Sequence, residues 1–178
     1  MAARARPLPG KLARILVIHT AFIGDIILLT PALRALRARF PAAEIRCLTT
    51  EAGAALLTPN PWGVVPVPYR KRTSDAGIAG FWRKSSELRA FRPDLVLSFH
   101  RSIRSILLAR LAGGEAWGFA EAAGSFFLSG KVGRRGFGYE AEKNLALVQA
   151  AAGGEGDSPF PELQASAEDE AEAAALLG

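Results

Sequence analysis

The chain has little of the material from which metal and redox sites are built. It contains one cysteine, Cys47, and only two histidines, His19 and His100, among 178 residues. One thiol excludes an internal disulfide framework and a multi-cysteine metal site, and two histidines with scattered acids give no zinc or di-iron set. Cys47 sits in IRCLTT, which reads as a buried strand, so an inert core thiol is expected, in keeping with a reducing cytoplasm. Long apolar runs are lacking as well. The stretch after the basic start MAARARPLPGKLAR is interrupted by His19, Gly24 and Asp25, too broken for a signal peptide and too short for a membrane span. The G-x-G-x-x-G fingerprint, the P-loop and the G-x-S-x-G elbow are all missing. Aromatic residues are not interleaved with the basic ones, which argues against a nucleic-acid partner.

What remains is a globular composition, 49% hydrophobic and 22% charged, at a length that suits one domain with one core. Its charge is uneven. Residues 1–150 carry +12 and residues 151–178 carry −7, which gives the net +5. A region at +12 attracts anions: nucleic acid, phosphorylated lipid or anionic sugar. Charge alone does not choose among them.

Short apolar runs alternate with longer amphipathic ones. RILVI (14–18), EIRCLTT (44–50) and PDLVLSF (93–99) read as buried strands, and VVPVPY (64–69), with two prolines, as an edge strand or none. AWGF and FFL (126–128) are short strand candidates. Helical spacing covers 26–39, where Arg34, Arg37 and Arg39 fall on a solvated face, and also 51–58, 79–91, 101–112 and 140–152. Phe40-Pro41 ends the first of these and Gly113-Gly114 closes the fourth. This rhythm predicts an α/β fold, a Rossmann-like doubly wound parallel sheet covered on both faces. Residues 1–11 read as a flexible basic N-terminus, frayed or in weak contact with an anionic surface, and 12–152 as the domain. Residues 153–178 begin with the Gly-, Pro- and acid-rich GGEGDSPFPE, a linker, followed by the start of a further helix.

In such a sheet ligands bind at the carboxyl ends of the strands, so the loops of interest are 19–25, 70–78, 100–105 and 119–125. In HTAFIGD, Gly24 fits a tight turn where backbone meets ligand, and Asp25 stands at a helix start. On spacing alone Asp25 reads first as an N-cap and second as a carboxylate placed to take a proton from a hydroxyl. In SFHRSIRS (98–105), His100, Arg101, Ser102 and Arg104 cluster where a helix opens. Two guanidinium groups near a helix N-terminus make a good anion site, although Ser102 or His100 also fits a cap and Arg104 a solvated charge. Lys71 and Arg72 join from a neighbouring loop. Arg134-Arg135 could join too, though such a pair is usually just solvated.

Taken together these segments resemble a known family. ILVIHTAFIGDIILLTPALRALRARFP is similar to the opening of the heptosyltransferases, glycosyltransferase family nine, where a strand leads to an IGD or LGD turn and a TP-containing helix. LVLSFHRSIRSILLARLAG resembles the middle segment of that family, and Lys71-Arg72 and the NLALVQAAAG helix fall in matching places over residues 12–152. The resemblance implies the N-terminal, acceptor-binding half of a GT-B glycosyltransferase. It implies metal-independent, cofactor-free, inverting transfer of heptose from ADP-heptose to the inner core of lipopolysaccharide. It assigns the catalytic base to Asp25. It assigns the grip on an anionic lipopolysaccharide precursor to the basic residues Lys71, Arg72, Arg101 and Arg104, which join Gly24, His100 and Ser102 of the same loops as candidate substrate-binding residues. The ADP-sugar donor is expected on a C-terminal domain absent from this chain, and the protein in the cytoplasm, with peripheral contact at the inner membrane. One departure is Tyr139-Glu140, where family members often carry a histidine before the helix. The rival reading is a non-catalytic Rossmann-like module that binds anionic glycolipid or nucleotide.

Overall fold

The computed structural model describes residues 12–154 and 158–177. Residues 1–11 and 155–157, read above as the basic N-terminus and the middle of the linker, lie outside the described residues. Six parallel strands form one sheet: β1 (Arg14–Ile18), β2 (Glu44–Thr49), β3 (Val65–Pro68), β4 (Leu95–Ser98), β5 (Glu115–Phe119) and β6 (Gly130–Val132). Their spatial order is β3-β2-β1-β4-β5-β6. This is the doubly wound order, in which the chain reverses direction across the sheet between β1 and β4. A crevice opens at that switch point, at the carboxyl ends of the two strands.

Alternation along β1 divides the core. Ile15 and Val17 face one side with Ile45, Cys47, Leu95 and Leu97; Leu16 and Ile18 face the other with Leu48 and Val96. Helices α2 (Thr30–Arg39) and α6 (Glu140–Ala152) cover the first side through Leu33, Leu36, Leu147 and Val148. Helices α4 (Gly77–Ala90) and α5 (Ile103–Ala112) cover the second through Leu88, Ile106 and Ala109. Each fully buried Leu or Ile contributes on the order of 1.5–3 kcal/mol. Helix α3 (Glu51–Leu56) lies beside β3. Gly113 closes α5 at φ 88°, the left-handed position that favours glycine. Burial pushes the Cys47 thiol up to about 12, so it is an inert core group.

Four sequence expectations are corrected. The helix read over 26–39 is broken: α1 (Ile23–Ile27) ends before α2 begins, because Pro31 in the first turn of α2 has no N–H and its ring excludes the carbonyl four residues back. The break leaves the Leu28 carbonyl free, and Asn144 of α6 donates to it at 3.0 Å. FFL is not a strand but falls at a 3-10 turn, Ser125–Phe127, and the last strand lies further on at Gly130–Val132. Arg34 and Arg37 do not merely face solvent. Arg37 donates to the carbonyls of Trp62 (2.6 Å), Pro41 (2.8 Å), Ala43 (2.9 Å) and Gly63 (3.3 Å). Arg34 donates to the Ser158 carbonyl at 2.7 Å and pairs with Glu162 at 3.3 Å. Finally, the segment read as a linker is tied down where it is described, since Glu162 N also donates to Thr30 Oγ1 at 3.0 Å. Beyond it runs α7 (Ala167–Leu177).

Candidate functional site

The loops after β1, β3 and β4 meet at the switch point and enclose two adjoining clefts. The first, of about 410 Å³, is lined by His19, Asp25, Phe99, Arg101, Arg134 and Glu140 among others. The second, of about 540 Å³, is lined by Thr20, Glu51, Tyr69, Lys71, Arg72 and Thr73 among others. Ala21, Phe22 and His100 border both.

Asp25 is half-buried in the first cleft. It is not the N-cap that its position suggested. Phe22 holds that place with extended backbone, so Asp25 is the third residue of α1, and its Oδ2 accepts from Phe22 N at 3.2 Å. One carboxylate oxygen thus fixes the side chain, as the acidic member of a capping box does, and leaves lone pairs for a hydroxyl. Gly24 also departs from expectation. It lies within α1 without a positive φ, and a Cβ added there would meet nothing within 4 Å. No turn geometry demands glycine, and Gly24 itself lines neither cleft.

His100 is wired from beneath. Its Nδ1 lies 2.9 Å from Ser105 Oγ, 3.1 Å from Thr20 Oγ1 and 3.2 Å from Ser102 Oγ. Ser102 caps α5 by accepting from Ser105 N at 3.2 Å, which leaves its hydroxyl proton free to donate. The ring therefore stands between the clefts with one nitrogen engaged. Burial, the Lys71 ammonium and Arg101 hold His100 below its ordinary range, against the opposing charge of Asp25. At neutral pH it is an uncharged donor or acceptor.

Lys71 donates to the Thr20 carbonyl at 2.8 Å, which ties the loop after β3 to the loop after β1. Partial burial and the nearby Arg104 charge lower its pKa, the signature of a cation held in a pocket that an anion would relieve. The Arg72 and Arg101 side chains are exposed and make no hydrogen bond or ion pair among the described residues. Arg104 differs. Its guanidinium donates to Tyr69 OH and, at 2.8 Å, to the Asp75 carbonyl, and it lies over the Tyr69 and Phe81 rings at 5.5 and 5.3 Å. It faces an apolar groove between α4 and α5 instead of either cleft.

Sequence reasoning left one group open between two readings and missed another. Arg134 is not a solvated cation: it makes a two-pronged pair with Glu140 at 2.7 and 2.5 Å and lies 5.0 Å from the Phe119 ring, at the edge of the Asp25 cleft. Nothing in the spacing of 134 and 140 to residue 25 announces this. His19 lines the same cleft at 5% exposure, and its Nδ1 has no partner. Burial, aided by His100, Arg134 and Lys71, drives its pKa down to about 3. A histidine directly after a buried strand at the switch point was the available signal.

No protein-family model matches this chain, and no curated protein does. Solved structures do. It resembles the glycosyl transferase family 9 protein from Veillonella parvula with a TM-score of 0.81 at 21% identity, over 92% of this chain and 48% of that one. It resembles E. coli ADP-heptose lps heptosyltransferase II with a TM-score of 0.70 at 21% identity, over 93% of this chain and 50% of that one. For E. coli heptosyltransferase WaaC, solved with ADP-2-deoxy-2-fluoro heptose, the TM-score is 0.68 at 21% identity, over 85% and 50%. The chain spans about half the length of each. It therefore has the doubly wound fold expected from its sequence, and that fold is the one found in about half of a family 9 glycosyltransferase.

Proposed function

We propose that this chain is the acceptor-binding half of an inverting glycosyltransferase of the heptosyltransferase kind, working with a nucleotide-sugar-binding half. The observation that supports this best is Asp25 itself. It is a half-buried carboxylate at the switch point of a parallel sheet, fixed through one oxygen and flanked by Arg101, Arg134 and two uncharged histidines. In this reading Asp25 takes the proton of an acceptor hydroxyl. The hydroxyl oxygen bonds to the anomeric carbon of the sugar, the bond from that carbon to the diphosphate breaks, and the nucleoside diphosphate leaves with the electron pair. The carboxylate needs no metal for its own step, in line with the metal-independent chemistry that the resemblance implies. Lys71, Arg72 and Arg101 hold phosphate or carboxylate groups of an anionic lipopolysaccharide precursor, and His100 orients a sugar hydroxyl. ADP-heptose is the donor this reading favours, bound mainly outside this chain.

The test is Asp25→Asn in a polypeptide that carries both halves, assayed against a panel of ADP-sugars. Removing a general base costs a factor on the order of 10² or more in kcat, with acceptor affinity little changed. Near-normal turnover removes Asp25 from the mechanism.

A further inference from the structure

Among the described residues, three buried side-chain atoms have no hydrogen-bond partner: Nδ1 of His19, Oγ1 of Thr49 and Oδ1 of Asn144. A buried polar atom without a partner destabilises a fold, so each one needs a reason. Thr49 and Asn144 line neither cleft, and Asn144 is engaged through its amide nitrogen, which donates to the Leu28 carbonyl. His19 lines the Asp25 cleft. Its placement there is rigid. The backbone continues β1, with its N–H donating to the Leu48 carbonyl at 2.9 Å. The ring lies nearly parallel to those of Phe99, 6.2 Å away, and His100, 6.3 Å away.

The two ring nitrogens of His19 differ. Nδ1 is sealed from solvent. Nε2 makes no hydrogen bond among the described residues either, but it is not sealed, so it is the nitrogen that meets the cleft. A neutral imidazole carries one proton. On Nδ1 that proton would be a buried N–H with no acceptor; on Nε2 it is offered to whatever fills the cleft. Burial, with the charges of His100, Arg134 and Lys71, keeps the ring from taking a second proton. His19 is thus a neutral donor. Charge draws the anionic groups of a ligand to Lys71 and Arg72 and leaves this N–H to an uncharged oxygen. We propose that His19 donates from Nε2 to a hydroxyl oxygen of the acceptor sugar, a different hydroxyl from the one that faces Asp25. Two contacts on one sugar fix its rotation and so select which hydroxyl meets the carboxylate. This rests on the reading of the chain as an acceptor-binding half.

The chain has only two histidines, so nitrogen NMR of the full chain resolves their rings, with His19→Leu giving the assignment by difference. In the free protein at pH 7, Nε2 of His19 is expected to be protonated and Nδ1 bare. Saturation with a deacylated lipopolysaccharide that lacks heptose should shift Nε2 and leave Nδ1 unmoved. The same glycan is then titrated calorimetrically. His19→Leu, close in volume but without a donor, is expected to bind on the order of fivefold more weakly. His19→Gln, whose amide nitrogen keeps a donor, is expected to stay within about twofold of the parent. Thermal unfolding at pH 7 separates this from a role in the fold alone. His19→Leu should be at least as stable as the parent, because the unpartnered buried atom is gone. A proton found on Nδ1 overturns the proposal, and so does a His19→Leu chain that unfolds. If the parent binds the glycan and His19→Leu binds it equally well, this proposal alone fails. If the parent does not bind it at all, the acceptor-half reading fails and takes the proposal with it.

Discussion

The two clefts share His100 and Phe22, yet they are built for different work. The Asp25 cleft is internally balanced. Its carboxylates, Asp25 and Glu140, stand against Arg101 and Arg134, and Glu140 is already gripped by Arg134 and by Lys143 at 3.1 Å. The Lys71 cleft is not balanced. Its one acid, Glu51, is taken by Arg70 at 2.8 Å, which leaves Lys71 and Arg72 with no carboxylate partner. A balanced site holds a reacting group in place; an unbalanced one attracts charge. On the proposed reading, bond making belongs to the first and acceptor capture to the second, and the two sides are expected to separate in kinetics.

The sharpest separation is Asp25→Asn against Lys71→Ala/Arg72→Ala. In a protein with both halves, the first should lower kcat by a factor on the order of 10² or more and leave acceptor affinity nearly intact. The second should leave kcat near normal and raise the acceptor KM. Charge-assisted contacts are worth about 1.5–3 kcal/mol when partly desolvated, so a loss on the order of tenfold to a hundredfold in affinity is expected, shrinking with salt. If the double alanine variant loses kcat and Asp25→Asn loses affinity, the assignment of the clefts is reversed.

A control must lie outside both clefts, and not every exposed-looking arginine serves. Arg37→Ala should leave acceptor affinity unchanged in whatever fraction folds, but destabilise the domain by about 2–4 kcal/mol, because four carbonyls lose a charged donor. Arg110→Ala, at an exposed position in the last turn of α5, should move neither quantity. Denaturant midpoints check the first, and acceptor titration checks both.

These arginines also show how far the residue order reaches. Strand runs, the glycines after α5 and the carboxyl-edge loops were legible because period, propensity and turn chemistry are local. Asp25 was read at the carboxyl edge of the sheet, where the structure places it, though its place in the helix was missed, because Phe22 starts α1 without a capping side chain. Arg37 was misread, and Arg134 left undecided, for one physical reason. A guanidinium reaches far enough to be claimed by carbonyls or carboxylates on another element, and no spacing rule within one helix or loop records that. The fold was legible because its signals repeat along the chain. The site was legible only at the residues that follow strands directly.

The smallest effect expected distinguishes the clefts by pH. His19, beneath the Asp25 cleft, has its pKa lowered to about 3 by burial and by the neighbouring charges of His100, Arg134 and Lys71, whereas an unfolded histidine titrates near its ordinary 6.5. Between those values the unfolded chain binds a proton that the folded protein excludes, so stability rises with pH through this window. It is complete above about 6.5 and is lost as pH falls, with a limiting slope of about 1.4 kcal/mol per pH unit for one proton. His100 adds in the same direction, since its pKa is lowered as well. His19→Gln keeps a polar, uncharged side chain and removes the titration. It should therefore flatten the acid limb by about one proton while costing little at pH 7 beyond its lost contact with the Phe99 ring, 6.2 Å away. Urea midpoints of parent and variant at about pH 7 and pH 5 test this. If the two proteins lose stability in parallel, His19 is charged in the folded state and the cleft is wetter than its geometry indicates. If the curves converge at acid pH, the uncharged imidazole beside Asp25 stands, and the Asp25 cleft differs from the Lys71 cleft in excluding protons as well as in balancing charge.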